Sequence, residues 1–259
     1  MTDAARLARL RLHLRTSSPQ LLPSRRRAAV ACLLRQSQGG LEVLFIQRAA
    51  RVGDPWAGDV AWPGGRLDAG ETELDAAIRE TREEVGLDLR STAWELLGPL
   101  DDRPAVRKGG LATLVVRPFV FLASAPPPQP VLAAAEVAAA WWVPLAHLAG
   151  ARAAPPLPFF EVPLARLQTR LPALRSAHVL TALTNLGLRA AAFPYVSLPP
   201  ADPVRCDTLP RLWGVTLGLS ADLLLACDGE PLVIPPWRLE PAGWEWALQA
   251  ASLIMPDRT

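Results

Sequence analysis

The sequence predicts a mixed α/β fold of the α+β type, on three observations. β-Prone apolar runs recur through the first half of the chain, a single strongly periodic helix interrupts them at residues 73–85, and strands and helices do not alternate strictly. Strict alternation is what a doubly wound parallel sheet would require. Half of the 259 residues are hydrophobic, enough to bury a sizeable core.

Residues 1–25 read as an N-terminal helix and linker: Arg6, Arg9, Arg11 and Arg15 surround Leu7, Leu10 and Leu14, and Pro23 closes the segment. The same Arg-rich amphipathic pattern is seen in organelle transit peptides, but an ordinary helix is the favoured reading in a chain rich in arginine throughout. Residues 27–35 and 41–48 are apolar and β-prone, and Gly39-Gly40 between them signals a hairpin. A Gly- and Pro-rich loop covers 53–65. Then Leu74, Ala77, Ile78, Thr81 and Val85 recur at helical spacing until Gly86 ends the run.

Residues 92–97 and 112–122 read as strands around a polar loop at 101–110, and 139–143 as another strand, after which Pro144 opens a short helix. Residues 150–192 are Pro-rich, with helical patches at 164–171 and 175–188, and read as an insertion. Residues 193–259 read as a C-terminal extension with helices at 211–227 and 240–255. No internal repeat is present.

The formal charge of +2 and the lack of basic blocks interleaved with aromatics point away from nucleic acid. Cys32, Cys206 and Cys227 are odd in number and far apart, which predicts neither a disulfide framework nor a zinc site and suits a reducing cytoplasm. The apolar runs are too short to span a bilayer, so no membrane partner is expected.

Chemistry is concentrated on the periodic helix. Glu80, Glu83 and Glu84 stand at spacings that bring side chains together on one helical face. Such a cluster repels itself unless a hard divalent cation, Mg2+ or Mn2+, converts repulsion into binding. A cation held there orients a diphosphate, neutralises its charge and lowers the pKa of a bound water. A solvated acidic face is the alternative for an arbitrary glutamate-rich helix.

The wider context decides between them. Gly65, Glu71, the run Arg79-Glu80-Thr81-Arg82-Glu83-Glu84 and then Gly86-Leu87 fall at the fixed positions of G-x5-E-x7-R-E-U-x-E-E-x-G-U, over 23 residues. The chain thus resembles the Nudix hydrolases, with Thr81 as a soft departure where an aliphatic residue is usual. The resemblance implies an α/β/α sandwich with a mixed β-sheet, spanning 26–259, and helical additions at both termini. It implies Glu80, Glu83 and Glu84 as metal ligands together with the backbone at Gly65, an ion pair between Glu71 and Arg79 bracing the loop, and Gly86 as a turn residue. The catalytic base is either Glu83 or Glu136. Glu136 precedes Trp142-Val143-Pro144-Leu145, which resembles an element found downstream of the box, and reads equally well as a metal ligand or a surface carboxylate.

Upstream, Phe45-Ile46-Gln47-Arg48, Gly58-Asp59-Val60-Ala61 and Trp62-Pro63-Gly64-Gly65 resemble in part the signature of the coenzyme A diphosphatase subgroup, with spacing one residue longer and Trp62 in place of Phe. Leu212-Trp213-Gly214-Val215-Thr216 resembles a C-terminal element of the same subgroup. The implied substrate is a small-molecule nucleotide of coenzyme A type, with Arg48 and Arg51 as phosphate partners. Arg103, Arg107 and Lys108 are candidates for a 3′-phosphate or for plain surface, and Trp56 and Trp62 for base stacking or for packing. NADH or ADP-ribose is the alternative substrate. A non-catalytic nucleotide sensor is disfavoured by the intact glutamates, and a homodimer is compatible with the sequence.

Overall fold

The computed structural model describes residues 1–51, 54, 56–108, 111–153, 156–167, 176–188, 190–201 and 209–240. Helix α1 (Asp3–Thr16) is capped by Thr2, whose hydroxyl accepts from the Ala5 N–H. Strands β1 (Arg27–Ser37) and β2 (Gly40–Arg48) form the expected hairpin, closed by the Ser37 and Gly40 pair. There follow β3 (Val60–Ala61), β4 (Gly64–Arg66), α2 (Glu73–Val85), β5 (Trp94–Pro99), β6 (Arg103–Lys108), β7 (Leu111–Ala123), β8 (Val137–Pro144) and α3 (Leu145–Gly150).

These strands make one mixed sheet in the order β3-β2-β1-β7-β5, with β4 paired to β1, β6 to β7 and β8 to β2. β1 runs parallel to β7 and antiparallel to β2 and β4. Its side chains are buried on both faces. Ala29, Ala31 and Leu33 enter the core under α2, while Ala28, Cys32 and Leu34 enter the core on the other side with Leu7 and Leu10 of α1. The strand therefore reads as a continuous apolar run rather than an alternating one, as strands covered on both faces do.

The chain continues through β9 (Phe159–Pro163), α4 (Leu164–Leu167), α5 (Ala177–Asn185), β10 (Ala190–Ser197), β11 (Arg211–Trp213), α6 (Gly214–Asp228) and β12 (Arg238–Glu240). Helix α6 packs with α1 and α3 on the sheet face opposite α2. The molecule is thus an α/β/α sandwich around a mixed sheet, as the resemblance implied. β9 to β12 form a second, four-stranded sheet in which β9, β11 and β12 all pair antiparallel to β10. Among the described residues no helix is long and apolar enough to cross a membrane.

Three expectations are corrected. The polar loop at 101–110 contains β6, an edge strand with Pro104 beside an irregularity in its register; edge strands tolerate proline and charge, which hide the alternation. The helix expected from 211 begins at Gly214, because residues 211–213 pair with β10 first. The Gly- and Pro-rich loop at 53–65 carries β3 and the start of β4, too short for a periodicity to register. The helix expected at 240–255 lies outside the described residues apart from Glu240, which ends β12.

Candidate active site

Helix α2 has the predicted bounds, and its ends explain why. The Thr72 hydroxyl accepts from the Asp75 N–H at 3.1 Å, and Glu73 and Asp75 lie in the first turn, where the helix dipole favours negative charge. At the other end Gly86 takes the left-handed conformation, φ 70°, and returns its N–H to the Arg82 carbonyl. Thr81 is fully buried and its hydroxyl donates to the Ala77 carbonyl at 2.7 Å. This back-bond lets a threonine stand at an aliphatic position of the motif without an orphaned polar atom.

The turn that faces the helix is seated on β1. Gly64 and Gly65 pair with Val30 and Ala29, and the Ala31 N–H donates to the Pro63 carbonyl at 2.8 Å. Gly64 has φ 148°, and a Cβ there would collide with the Ala29 carbonyl and the Val30 backbone. A Cβ on Gly65 would collide with the Glu80 carboxylate. Gly64 is therefore needed for the turn to seat on β1, whereas a side chain at Gly65 would displace the Glu80 carboxylate.

Glu84 is only 2% exposed, and its Oε2 accepts from the Gly64 N–H at 2.9 Å. Burial, reinforced by the nearby Glu80 and Glu136 charges, pushes its carboxyl up to about 7 against the opposing Gly64 hydrogen bond and the Arg48 charge. Glu80 is raised as well, by burial first and then by Glu83 and Glu136, against the pull of Arg79. Glu83 is the open member of the set, with a side chain 55% exposed.

Arg79 braces the loop. Its Nε and Nη2 donate to the two oxygens of Glu71, each at 2.9 Å, and Nη2 also donates to the Arg66 carbonyl at 3.0 Å. This bidentate pair holds Glu71 below the usual carboxylate range and raises Arg79 further. The remaining nitrogen, Nη1, is shared between Glu80 at 3.0 Å and Glu83 at 2.9 Å. Among the described residues no three His, Cys, Asp or Glu side chains are gathered closely enough to grip a metal ion. The donor set nevertheless fits a hard divalent cation: it is all carboxylate, and Glu80 and Glu84 are raised by burial and by neighbouring negative charge, a cost that a cation would relieve.

The other predicted residues arrive from separate elements. Glu136 follows a segment stapled to the end of α2: the Val131 N–H donates to the Val85 carbonyl and the Ala133 N–H to the Glu84 carbonyl, both at 3.0 Å. The Glu136 carbonyl then accepts from Ala49, and its carboxylate meets Arg51 Nη1 at 3.4 Å. Arg48 Nη1 stands 3.8 Å from Glu84 Oε1. Both predicted phosphate partners thus lie against carboxylates of the cluster.

Sequence reasoning missed Asp54. Its carboxylate accepts from Arg48 Nη2 at 2.9 Å and from the Trp56 N–H at 3.0 Å. Against burial, which would raise it, these bonds hold the carboxyl below its ordinary value. Only a folded loop brings the two residues together, and no local pattern marks the pair. Asp54→Asn, which weakens the hold on Arg48, is expected to raise KM for a diphosphate substrate by about tenfold with little change in kcat, as loss of one charge-assisted bond would; initial-rate kinetics check it.

Two candidates fall away. Trp62 is 1% exposed and packs on Phe45 inside the core, with ring centroids 6.5 Å apart, so it is not open for stacking on a base. Arg103 is committed to Asp222 of α6, with Nη2 donating at 2.6 Å. The Arg107 and Lys108 side chains lie outside the described set.

A family model of the NUDIX domain matches residues 25–162. The chain is 41% identical over 108 residues to an uncharacterised protein of Schizosaccharomyces pombe, covering 41% of this chain and 32% of that protein. It is 38% identical over 77 residues to the mitochondrial coenzyme A diphosphatase NUDT8 of Homo sapiens, covering 29% of this chain and 33% of that protein. The alignments thus span about a third of the length of these curated relatives. A solved Nudix hydrolase from M. smegmatis, RenU, is 27% identical, covers 49% of this chain and 76% of its own, and superposes with a TM-score of 0.38. With the domain match extending over more than half of its residues, the chain belongs to the NUDIX domain family.

Proposed function

We propose that the chain is a cytoplasmic, Mg2+- or Mn2+-dependent diphosphatase that hydrolyses coenzyme A or acyl-CoA to 4′-(acyl)phosphopantetheine and adenosine 3′,5′-bisphosphate. The observation that carries the reading is the seating of the Gly64-Gly65 backbone on β1 directly against Glu84 and Glu80. Glu80, Glu83, Glu84 and the Gly65 backbone would hold the cation, which when bound offsets the diphosphate charge and acidifies water. Arg48 and Arg51 would bind phosphate oxygens. Water adds to phosphorus as the bridging P–O bond breaks, and its proton passes to a carboxylate. Glu83 and Glu136, with side chains 55% and 44% exposed, are the two that stand open to do this. Arg79 and Glu71 brace the loop without touching the reacting atoms.

The substrate class draws on the partial signature between Arg48 and Pro63 and on the likeness to the human coenzyme A diphosphatase. The test is a panel of coenzyme A, acyl-CoA, NADH, ADP-ribose and nucleoside triphosphates with Mg2+ or Mn2+, with products read by mass. Coenzyme A or its acyl esters should be turned over fastest. Turnover of NADH or ADP-ribose alone refutes the substrate, and binding without turnover of any member refutes the enzyme.

A further inference from the structure

Glu80, Glu83, Glu84 and Glu136 each face an arginine. Arg79 Nη1 bonds Glu80 at 3.0 Å and Glu83 at 2.9 Å, Arg51 meets Glu136 at 3.4 Å, and Arg48 stands 3.8 Å from Glu84. The three arginines are not equally free. Arg79 is fixed by both oxygens of Glu71 and by the Arg66 carbonyl. Arg51 and Glu136 are about half exposed, so solvent screens their pair. Arg48 faces Glu84, the most buried carboxylate of the set, and its charge acts there with the least screening.

Strand geometry brings Arg48 to this place. Leu44 and Ile46 of β2 are buried in the core under α2, and alternation puts Arg48 next on the same face. The register of β2 against β8 slips between Gln47 and Arg48, an irregularity of the kind that re-aims a side chain. The Arg48 backbone is then closed onto the following loop: its N–H donates to the Asp59 carbonyl at 3.0 Å, and its carbonyl accepts from the Gly58 N–H at 3.1 Å.

That loop returns Asp54 to the same guanidinium. Asp54 Oδ2 accepts from Arg48 Nη2 at 2.9 Å and Nε at 3.3 Å, while Oδ1 accepts from the Trp56 N–H at 3.0 Å. The third nitrogen, Nη1, stops 3.8 Å from Glu84 Oε1, too far for a hydrogen bond. Glu84 Oε2 is held by the Gly64 N–H at 2.9 Å. Arg48 thus compensates the Glu84 charge without bonding Oε1, which stays available to a hard cation.

Resting on the diphosphatase reading above, we propose that Asp54 is a positioning residue that holds Arg48 off Glu84 Oε1 and thereby sets the affinity of the carboxylate cluster for its divalent cation. Without the tether, Arg48 closes on Glu84 and competes with the cation. A phosphate group that draws Arg48 further away deepens the site for the cation, so cation and diphosphate favour each other's binding.

The test is binding of Mn2+ alone, followed by calorimetry on the full chain after chelation, and it needs no turnover. Arg48→Gln should bind Mn2+ roughly tenfold more tightly than wild type, and Asp54→Asn roughly fivefold more weakly. The double variant should match Arg48→Gln within about twofold, because Asp54 acts only through Arg48. Arg51→Gln, which removes the same charge from a screened pair, should stay within about twofold of wild type. An Arg48→Gln affinity at or below that of wild type overturns the proposal. So does an Asp54→Asn loss as large in the Arg48→Gln background as alone, or a gain in Arg51→Gln that equals that of Arg48→Gln, since either is a plain effect of charge. If the variants bind Mn2+ as expected but no diphosphate is hydrolysed, the diphosphatase reading fails and the positioning role stands. Hydrolysis of coenzyme A by wild type, with Mn2+ affinity unmoved in both single variants, refutes the positioning role alone. Absence of Mn2+ binding in wild type and Arg48→Gln refutes both.

Discussion

Glu83→Gln is expected to lower kcat by about a thousandfold while leaving the fold in place. The substitution removes one negative charge from the cluster that would hold the cation and from one of the two open candidates for taking the proton, and losses of a stabilising charge at a reacting centre run to about 10²–10³ or more. The structural cost is small, because the side chain is 55% exposed and is paired with the Arg79 guanidinium, which keeps Glu71 and Glu80. An exposed ion pair of this kind contributes about 0–1 kcal/mol. Initial rates with coenzyme A and a thermal melt, measured on one preparation, check both halves. Near-normal turnover would remove Glu83 from the site. Glu136→Gln, measured alongside, separates the roles: the variant that removes the base should lose the acidic limb of the pH–rate profile, and the other should keep it.

The largest effect on stability is expected from Asp102→Ala. Asp102 is fully buried between the N-terminal linker and the sheet, and accepts from Arg27 Nη2 at 2.7 Å, Arg117 Nε at 2.7 Å and the Leu22 N–H at 2.9 Å. Truncation leaves two largely buried guanidiniums without that carboxylate, a loss of about 3–5 kcal/mol. For a chain of this size that corresponds to a fall in Tm on the order of 10 °C. Burial would raise the Asp102 carboxyl, but Arg117, Arg27 and the Leu22 N–H together hold it below its ordinary value. A carboxyl lowered on folding contributes stability that is present above its unfolded value of about 3.9 and lost as pH falls through the folded one. The gap in Tm between wild type and variant should therefore be full at neutral pH and narrow below about pH 4. A gap constant down to that range would show that the carboxylate charge is not what stabilises the linker.

Helix α2 was legible in the sequence to the residue because its signals are local: Thr72 caps it, Gly86 ends it, and the spacing of Ala77, Thr81 and Val85 marks the buried face. The hairpin of β1 and β2 was legible for the same reason. What escaped depends on partners distant in the chain. β4 is three residues long and exists through its pairing with β1, more than thirty positions earlier. β9 and β12 take their form from β10, and β6 is an edge strand whose proline and terminal charges conceal it. Among side chains, Arg48 was recognisable by its motif position, whereas Asp54, which holds it, has no motif. Trp62 shows the converse, since an aromatic beside the Gly64-Gly65 turn in sequence is a core residue in space.

The stapling of residues 131–136 to the end of α2 bears on how the site opens. The amide hydrogens of Val131 and Ala133 are spent on the last carbonyls of the helix that carries Glu80, Glu83 and Glu84. In hydrogen exchange these two amides should therefore exchange with the C-terminal turn of that helix, as one cooperative unit, rather than with the loop to which they belong by sequence. Glu136 would then travel with the helix, and any local unfolding that releases one carboxylate would release all four together.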